Sequence, residues 1–175
     1  MKPNFVIRPA ATAADFAAVE QMQRDVWGFS ELEILPGVYF RSVLAAGGVL
    51  LLAEGEGGPL GFVFGFPSWR NGRIELHSDM LAVGEGHRDK GVGMALKLAQ
   101  REKCLEAGIP AVTWTFDPLR SRNAHFNFSK LGVLCDSYRP DFYGEQTSSF
   151  LHAAGTDRLW VTWILNRPKR TRPFD

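Results

Sequence analysis

Arg88-Asp89-Lys90-Gly91-Val92-Gly93 lies between an alternating stretch, Ile74 to Val83, and a helical pattern that runs from Gly91 to Ala107. A helix N-terminus carries four backbone N–H groups with no intrahelical acceptor and the positive end of the macrodipole. Two glycines at that point let a diphosphate come close to the backbone. Arg88 and Lys90 add mobile positive charge. An ordinary glycine-rich surface turn has the same letters, so the surrounding pattern has to decide between the two.

Three phosphate-binding loops can be compared with these residues. The P-loop pattern G-x-x-x-x-G-K-[ST] has no match in the chain. The dinucleotide pattern G-x-G-x-x-G/A is met by Gly91 and Gly93 but then finds Leu96 where close helix-to-strand packing needs a small residue. Asp117 stands about where a ribose-binding acid belongs, yet the chain is too short for two mononucleotide-binding halves. The third pattern, [QR]-x-x-G-x-[GA] at a strand-to-helix junction, is satisfied by Arg88, Gly91 and Gly93.

Outward from the loop the chain alternates extended and helical segments. Phe5 to Arg8 reads as a short strand. Ala13 to Trp27 reads as a helix capped by Thr12, with Phe16, Val19, Met22 and Val26 on one stripe and Gly28 as its stop. A second helix is expected from Gly37 to Ala46, and Val49 to Ala53 with Leu60 to Phe66 as a hairpin around Gly55 to Gly58. In the strand Ile74 to Val83, the two-residue period puts Ile74, Leu76 and Met80 on one side and Glu75, His77 and Asp79 on the other. The helix after the loop carries Met94, Leu98 and Leu105 on one stripe and stops at Gly108. Ala111 to Phe116 is then a strand, Ser121 caps a helix to Leu131 with Ala124, Phe128 and Leu131 inward, and Val133 to Tyr138 and Leu159 to Leu165 are the last strands.

The composition is compatible with one packed domain. The chain has 175 residues, 45% of them hydrophobic, which excludes disorder as its main state. Twenty basic residues against nineteen acidic ones argue against wholesale binding to nucleic acid or an anionic membrane, so any charge-based function is local. No apolar run approaches the ~20 residues of a membrane span, and Met1 to Arg8 lacks the apolar core of a secretory signal, so a cytoplasmic location is expected. Cys104 and Cys135 have no metal-ligand spacing and read as packing residues. Arg167, Lys169, Arg170 and Arg172 make a basic C-terminal tail, read as a solvated end.

With this loop, this order of elements, the strand end Leu81-Ala82-Val83, Asn123 and the helix ending Lys130-Leu131-Gly132, the sequence resembles the GCN5-related N-acetyltransferase (GNAT) superfamily of acyl-CoA transferases. Asp117-Pro118-Leu119 through Asn123-Ala124 to Gly132 is similar to a poorly characterised bacterial branch, some members of which resemble amino-acid N-succinyltransferases. The resemblance implies a single-domain α/β fold: a central mixed, mostly antiparallel sheet of about seven strands flanked by about four helices, over residues 1–166, with 167–175 as the tail. It implies acetyl-CoA or another acyl-CoA as co-substrate, no metal, and a small-molecule amine such as an amino acid as acceptor. A catalytically silent CoA-binding module is the alternative, and a homodimer is left open.

Carried over by position, backbone groups of Leu81, Ala82 and Val83 would pair with pantetheine. The N–H groups of Asp89, Lys90, Gly91, Val92, Gly93 and Met94 would cradle the pyrophosphate beside Arg88, and Asn123 would touch the pantetheine arm. His77 stands where the histone-acetylating branch carries its glutamate base, with an ordered water as the alternative base, and Glu75 and Asp79 beside it are expected to raise its pKa unless burial of the strand removes that effect. The family's usual acid, a tyrosine, is Phe128 here. Tyr143, in a turn between Pro140 and Gly144, is favoured over Tyr138 as a replacement, with unaided loss of the thiolate as the other option. Trp27, Phe29 and Phe40 could wall the acceptor pocket, with Arg41 or Arg139 as a fork for an acceptor carboxylate, but the residues favour the plainer reading of an aromatic core and solvated arginines.

Overall fold

A computed structural model describes residues 4–70, 72–144 and 147–166; the basic tail, Arg167, Lys169, Arg170 and Arg172, lies outside the described residues. The elements follow in the order β1 (Phe5–Pro9), α1 (Ala13–Trp27), α2 (Gly37–Ala45), β2 (Val49–Gly55), β3 (Gly58–Arg70), β4 (Arg73–Val83), α3 (Val92–Glu106), β5 (Ala111–Phe116), α4 (Ser121–Ala124), β6 (Leu134–Arg139) and β7 (Arg158–Ile164). The strands form one seven-stranded sheet ordered β1-β2-β3-β4-β5-β7-β6, antiparallel except for the β4–β5 pair. The expected fold class is the observed one.

Local chemistry sets the helix ends. Thr12 and Asp15 cap α1 reciprocally, and the Asp15 carboxylate also accepts from Arg8 and from the Ala11 N–H. Gly28, at φ +68°, ends it. α1 and α2 cover one face of the β1–β4 half, burying Phe16, Val19 and Phe40 against Leu50, Leu52, Phe62, Phe64 and Ala82. α3 lies on the other face and spans both halves: Val92 and Leu96 pack on Leu51, Ala53 and Val63, while Met94, Cys104 and Leu105 pack on the cluster of Leu76, Val112, Trp114 and Val161.

Three expectations about side-chain placement change. Leu98 is 44% exposed, because the covered stripe of α3 runs through Val92, Leu96, Lys97, Gln100 and Cys104 instead, and Leu98 lies about 200° around the helix from Leu96. Past Ala124 the fourth helix widens into a π-helical segment, His125–Leu131, and the wider turn brings Asn127 inward while leaving Phe128 39% exposed. Cys104 is packed in the core as expected, but Cys135 is exposed, since β6 is the outer strand of the sheet and most of its residues face solvent.

Candidate active site

The site is made by a defect in the sheet. β4 and β5 share only two backbone pairs, Leu76 with Val112 and His77 with Thr113. Beyond them β4 runs on to Val83 and β5 to Phe116 without pairing, so an edge of unpaired backbone opens between two interior strands. An irregularity marks where they part: the register of β4 on β3 slips between Met80, opposite Phe64, and His77, opposite Phe66. The extra residue is accommodated at Ser78-Asp79, which breaks the alternation expected for this strand. Leu76 and Leu81 consequently pack with clusters on the α3 side although one is even-numbered and the other odd.

At the far end of the gap stands the loop. A single 3₁₀ turn, Glu85–His87, leads to Arg88, then to Asp89 at φ +62° and Gly91 at φ +84°, which caps α3. The first intrahelical bond runs from the Ala95 N–H to the Gly91 carbonyl, leaving the N–H groups of Val92, Gly93 and Met94 ahead of it at the helix start. A Cβ on Gly91 would meet nothing within 4 Å, so its requirement is the left-handed backbone. A Cβ on Gly93 would make ordinary contacts with Val83 and Leu81 at 3.7 and 3.9 Å. The exposed Arg88 donates from Nε to the Val83 carbonyl at 3.3 Å, so that carbonyl already has a partner; Leu81 and Ala82 are paired only on their β3 side. Lys90 turns back to the Gly86 carbonyl. Asp89 and Arg122 form an exposed ion pair at 3.1 Å between the loop and the fourth helix, the helix on which Asn123 is also exposed.

At the closed end, His77 Nδ1 lies 3.1 Å from Thr113 Oγ1, and its ring stacks on Trp160 at 4.9 Å and leans on Phe66 at 5.4 Å. Its pKa moves down, to about 4, because burial disfavours the cation and Lys97 and Arg70 add positive charge. Burial thus removes the upward shift expected from the neighbouring acids. Glu75 does not act on His77 because it pairs with Arg70 at 3.0 Å, which also holds Asp136 and Thr162. Asp79 has lost its place beside His77 to the irregularity. The indole N–H of Trp160 is buried without a hydrogen-bond partner.

Tyr143 and Tyr138 are separated by their contacts. The Tyr143 hydroxyl is 3.4 Å from Thr115 Oγ1, two residues along β5 from the threonine that meets His77. Tyr143 also stacks on His152 and lies under the buried Arg158. Tyr138 is hydrogen-bonded to Asp157. Phe128 packs edge-on against Phe116 and offers no hydroxyl. Trp27 stacks on Phe29, but Phe40 is fully buried in the core and walls no pocket; Arg41 lies over Phe16, and Arg139 bonds Ser137.

Lys97 was given no role by the sequence. It is 2% exposed, donates to Ser78 Oγ at 2.7 Å and Gln100 Oε1 at 3.1 Å, and stands 3.8 Å from the Trp114 ring centroid. The available signal was its place on the same helical face as Gln100 and Cys104. Among the described residues no group of three or more His, Cys, Asp or Glu is arranged to hold a metal, and no helix is long and apolar enough to cross a membrane.

Known proteins share this architecture. Ard1 from Thermoplasma volcanium is 19% identical, with 92% of this chain and 97% of that one covered at a TM-score of 0.70. The ribosomal-protein-S18-alanine N-acetyltransferase from Escherichia coli is 13% identical over 97% and 99% of the two chains, at 0.71. A GNAT family acetyltransferase from Elizabethkingia anophelis, with acetyl-CoA bound, is 16% identical over 93% and 99%, at 0.67. No curated protein is significantly similar in sequence. The model of the acetyltransferase (GNAT) family matches residues 16–132, which contain both strands of the gap and the loop at its mouth, and the chain belongs to that family.

Proposed function

We propose that the protein is an acyl-CoA-dependent N-acyltransferase that moves an acetyl or succinyl group to the amine of a small molecule such as an amino acid. The observation that carries this is the gap between β4 and β5, with unpaired strand backbone along its side and the N-terminus of α3 at its mouth. A pantetheine arm is a chain of amides and methylenes that matches an unpaired strand edge. A pyrophosphate matches the helix N–H groups with Gly91, Gly93 and Arg88. The acetyl-CoA-bound relative has the same architecture.

Attack by the acceptor nitrogen on the thioester carbon forms the C–N bond. The C–S bond then breaks with its electron pair on sulfur, and the nitrogen gives up a proton. His77 is neutral at physiological pH and has one ring nitrogen engaged by Thr113, which leaves the other to accept an N–H from the amine. With a pKa of about 4 it orients the amine and passes the proton to water instead of retaining it. The Trp160 ring stacked on it fixes the tilt of the imidazole. Tyr143, bridged to β5 through Thr115, is the hydroxyl proposed to protonate the departing sulfur.

The absence of a hydroxyl at Phe128 favours a second reading, a CoA-binding module without turnover. Incubation with acetyl-CoA and succinyl-CoA against a panel of amino acids and polyamines distinguishes them. Thiol release that depends on the amine supports the enzyme, and tight CoA binding with no turnover across the panel supports the module.

A further inference from the structure

Lys97 is a costly residue where it stands. Its charge is sealed from water, and among the described residues it forms no ion pair. Its partners are a hydroxyl, an amide oxygen and an indole face. Gln100, which accepts from it, is left with a buried Nε2 that has no partner. An apolar side chain at this position would remove the burial cost. The titratable groups coupled to Lys97 are Cys104 on its own helix and His77 on β4, and β5 contributes the Trp114 ring. Burial pulls the lysine down to about 7.

Its position relative to the gap is specific. Ser78 is the first residue of β4 beyond the last β4–β5 pair, and Trp114 is the first residue of β5 beyond it. The Lys97 amine touches both, so it straddles the closed end of the gap on the α3 side, while His77 occupies the same end on the opposite face. A charge held there, out of water, acts through a low dielectric on whatever charge develops in the gap.

We propose that Lys97 is a positioning residue for acyl transfer, an amine sealed at the closed end of the β4–β5 gap that the thiolate of coenzyme A holds protonated and that stabilises the thiolate in return. This rests on the acyl-CoA reading above and adds to Tyr143, the proton donor, a second group that acts on sulfur. When the C–S bond breaks, the electron pair stays on sulfur and is stabilised by the ammonium of Lys97. The proton that converts the thiolate to the thiol comes from Tyr143, which regains one from solvent, and Lys97 keeps its own.

The experiment titrates the thiol of bound coenzyme A, by ultraviolet absorbance of the thiolate, in wild type, Lys97→Met and Lys97→Arg. Calorimetry with coenzyme A and with its desulfo analogue runs in parallel. In wild type the bound thiol is expected to titrate about one unit below the free value of ~8.5, so the thiolate binds ~10-fold more tightly than the thiol. Lys97→Met should return the thiol to the free value or above while keeping desulfo-coenzyme A affinity, with a melting temperature at or above that of wild type. Lys97→Arg should retain part of the shift. A wild-type thiol that titrates at ~8.5 or higher overturns the proposal without any variant. So does an unchanged shift in Lys97→Met. If neither coenzyme A nor its desulfo analogue binds, the acyl-CoA reading falls and the role of Lys97 falls with it.

Discussion

His77 and Thr113 are joined twice: they form the last backbone pair between β4 and β5, and Nδ1 of one lies 3.1 Å from Oγ1 of the other. The imidazole is therefore oriented by the same contact that closes the gap. Thr113→Val keeps the volume and removes the hydroxyl. It should lower kcat by ~10-fold with little change in the KM for acetyl-CoA, whereas His77→Ala should lower kcat by ~10²-fold or more. Equal kcat in wild type and Thr113→Val under steady-state assay would detach His77 from the chemistry.

The same histidine fixes a pH dependence. Its folded pKa of about 4 lies below the unfolded value of 6.5, so between these the unfolded chain binds the extra proton. Stability contributed by the neutral, buried ring is complete above pH 6.5 and is lost as pH falls toward 4, by up to ~3 kcal/mol. His77→Gln should flatten that part of the curve of unfolding free energy against pH, measured in urea. An imidazole that titrates at or above 6.5 by NMR would contradict the burial argument.

At the loop, Gly91 and Gly93 should separate. Gly91→Ala places a Cβ in the left-handed region at a cost of ~1–2 kcal/mol and should weaken coenzyme A at least tenfold by distorting the helix start. Gly93→Ala meets only ordinary contacts and should fold normally, with affinity within a few-fold of wild type. Calorimetric titration of both variants decides it, and equal losses would mean that the backbone at Gly91 is not the recognition element.

Tyr143→Phe should cut kcat while leaving acyl-CoA affinity alone, because its hydroxyl faces Thr115 of β5. Tyr138→Phe should change kcat by less than ~2-fold, since that hydroxyl is held by Asp157. Saturating acyl-CoA with the true acceptor gives the comparison, and full activity in Tyr143→Phe removes it from the mechanism.

Far from the site, Asp15→Ala should destabilise the fold by ~1–3 kcal/mol without changing kcat, because the carboxylate caps α1 and holds Arg8. Arg8 and the backbone donors keep that carboxyl well below its usual pKa, so its contribution is present above pH ~4 and is lost as pH falls below it. Thermal melts at pH 7 and pH 3 check both statements, and equal destabilisation at the two would be inconsistent with the ion pair.

Most of the fold could be read from local signals. Thr12 and Gly28 bound α1, and Gly91 and Gly93 locate the mouth of the gap once the strand before them and the helix after them are read together with the pair. What escaped was long-range. Strict alternation along β4 placed Glu75 and Asp79 beside His77, but an irregularity at Ser78-Asp79 and an arginine from β3 remove both, and neither leaves a mark in the local pattern. A 3.6-residue period places Phe128 inward, and the π-helical segment does not keep that period. The burial of Lys97 depends on Ser78 and Trp114, which are distant from it in sequence and enclose it only in the fold.

Two residue pairs are a thin seam for a sheet of seven strands. β1 to β4 pack with α1 and α2 as one core, and β5 to β7 belong largely to another, with α3 laid across both. Such an arrangement invites the halves to open separately, so amide exchange along β5 to β7 should report a lower free energy than exchange along β2 and β3. A molecule lodged in the seam would hydrogen-bond where a strand is missing and tie the two cores into a single cooperative unit. The protein's substrate would then serve as a removable piece of its own sheet, and exchange on the two sides should become synchronous only while it is bound.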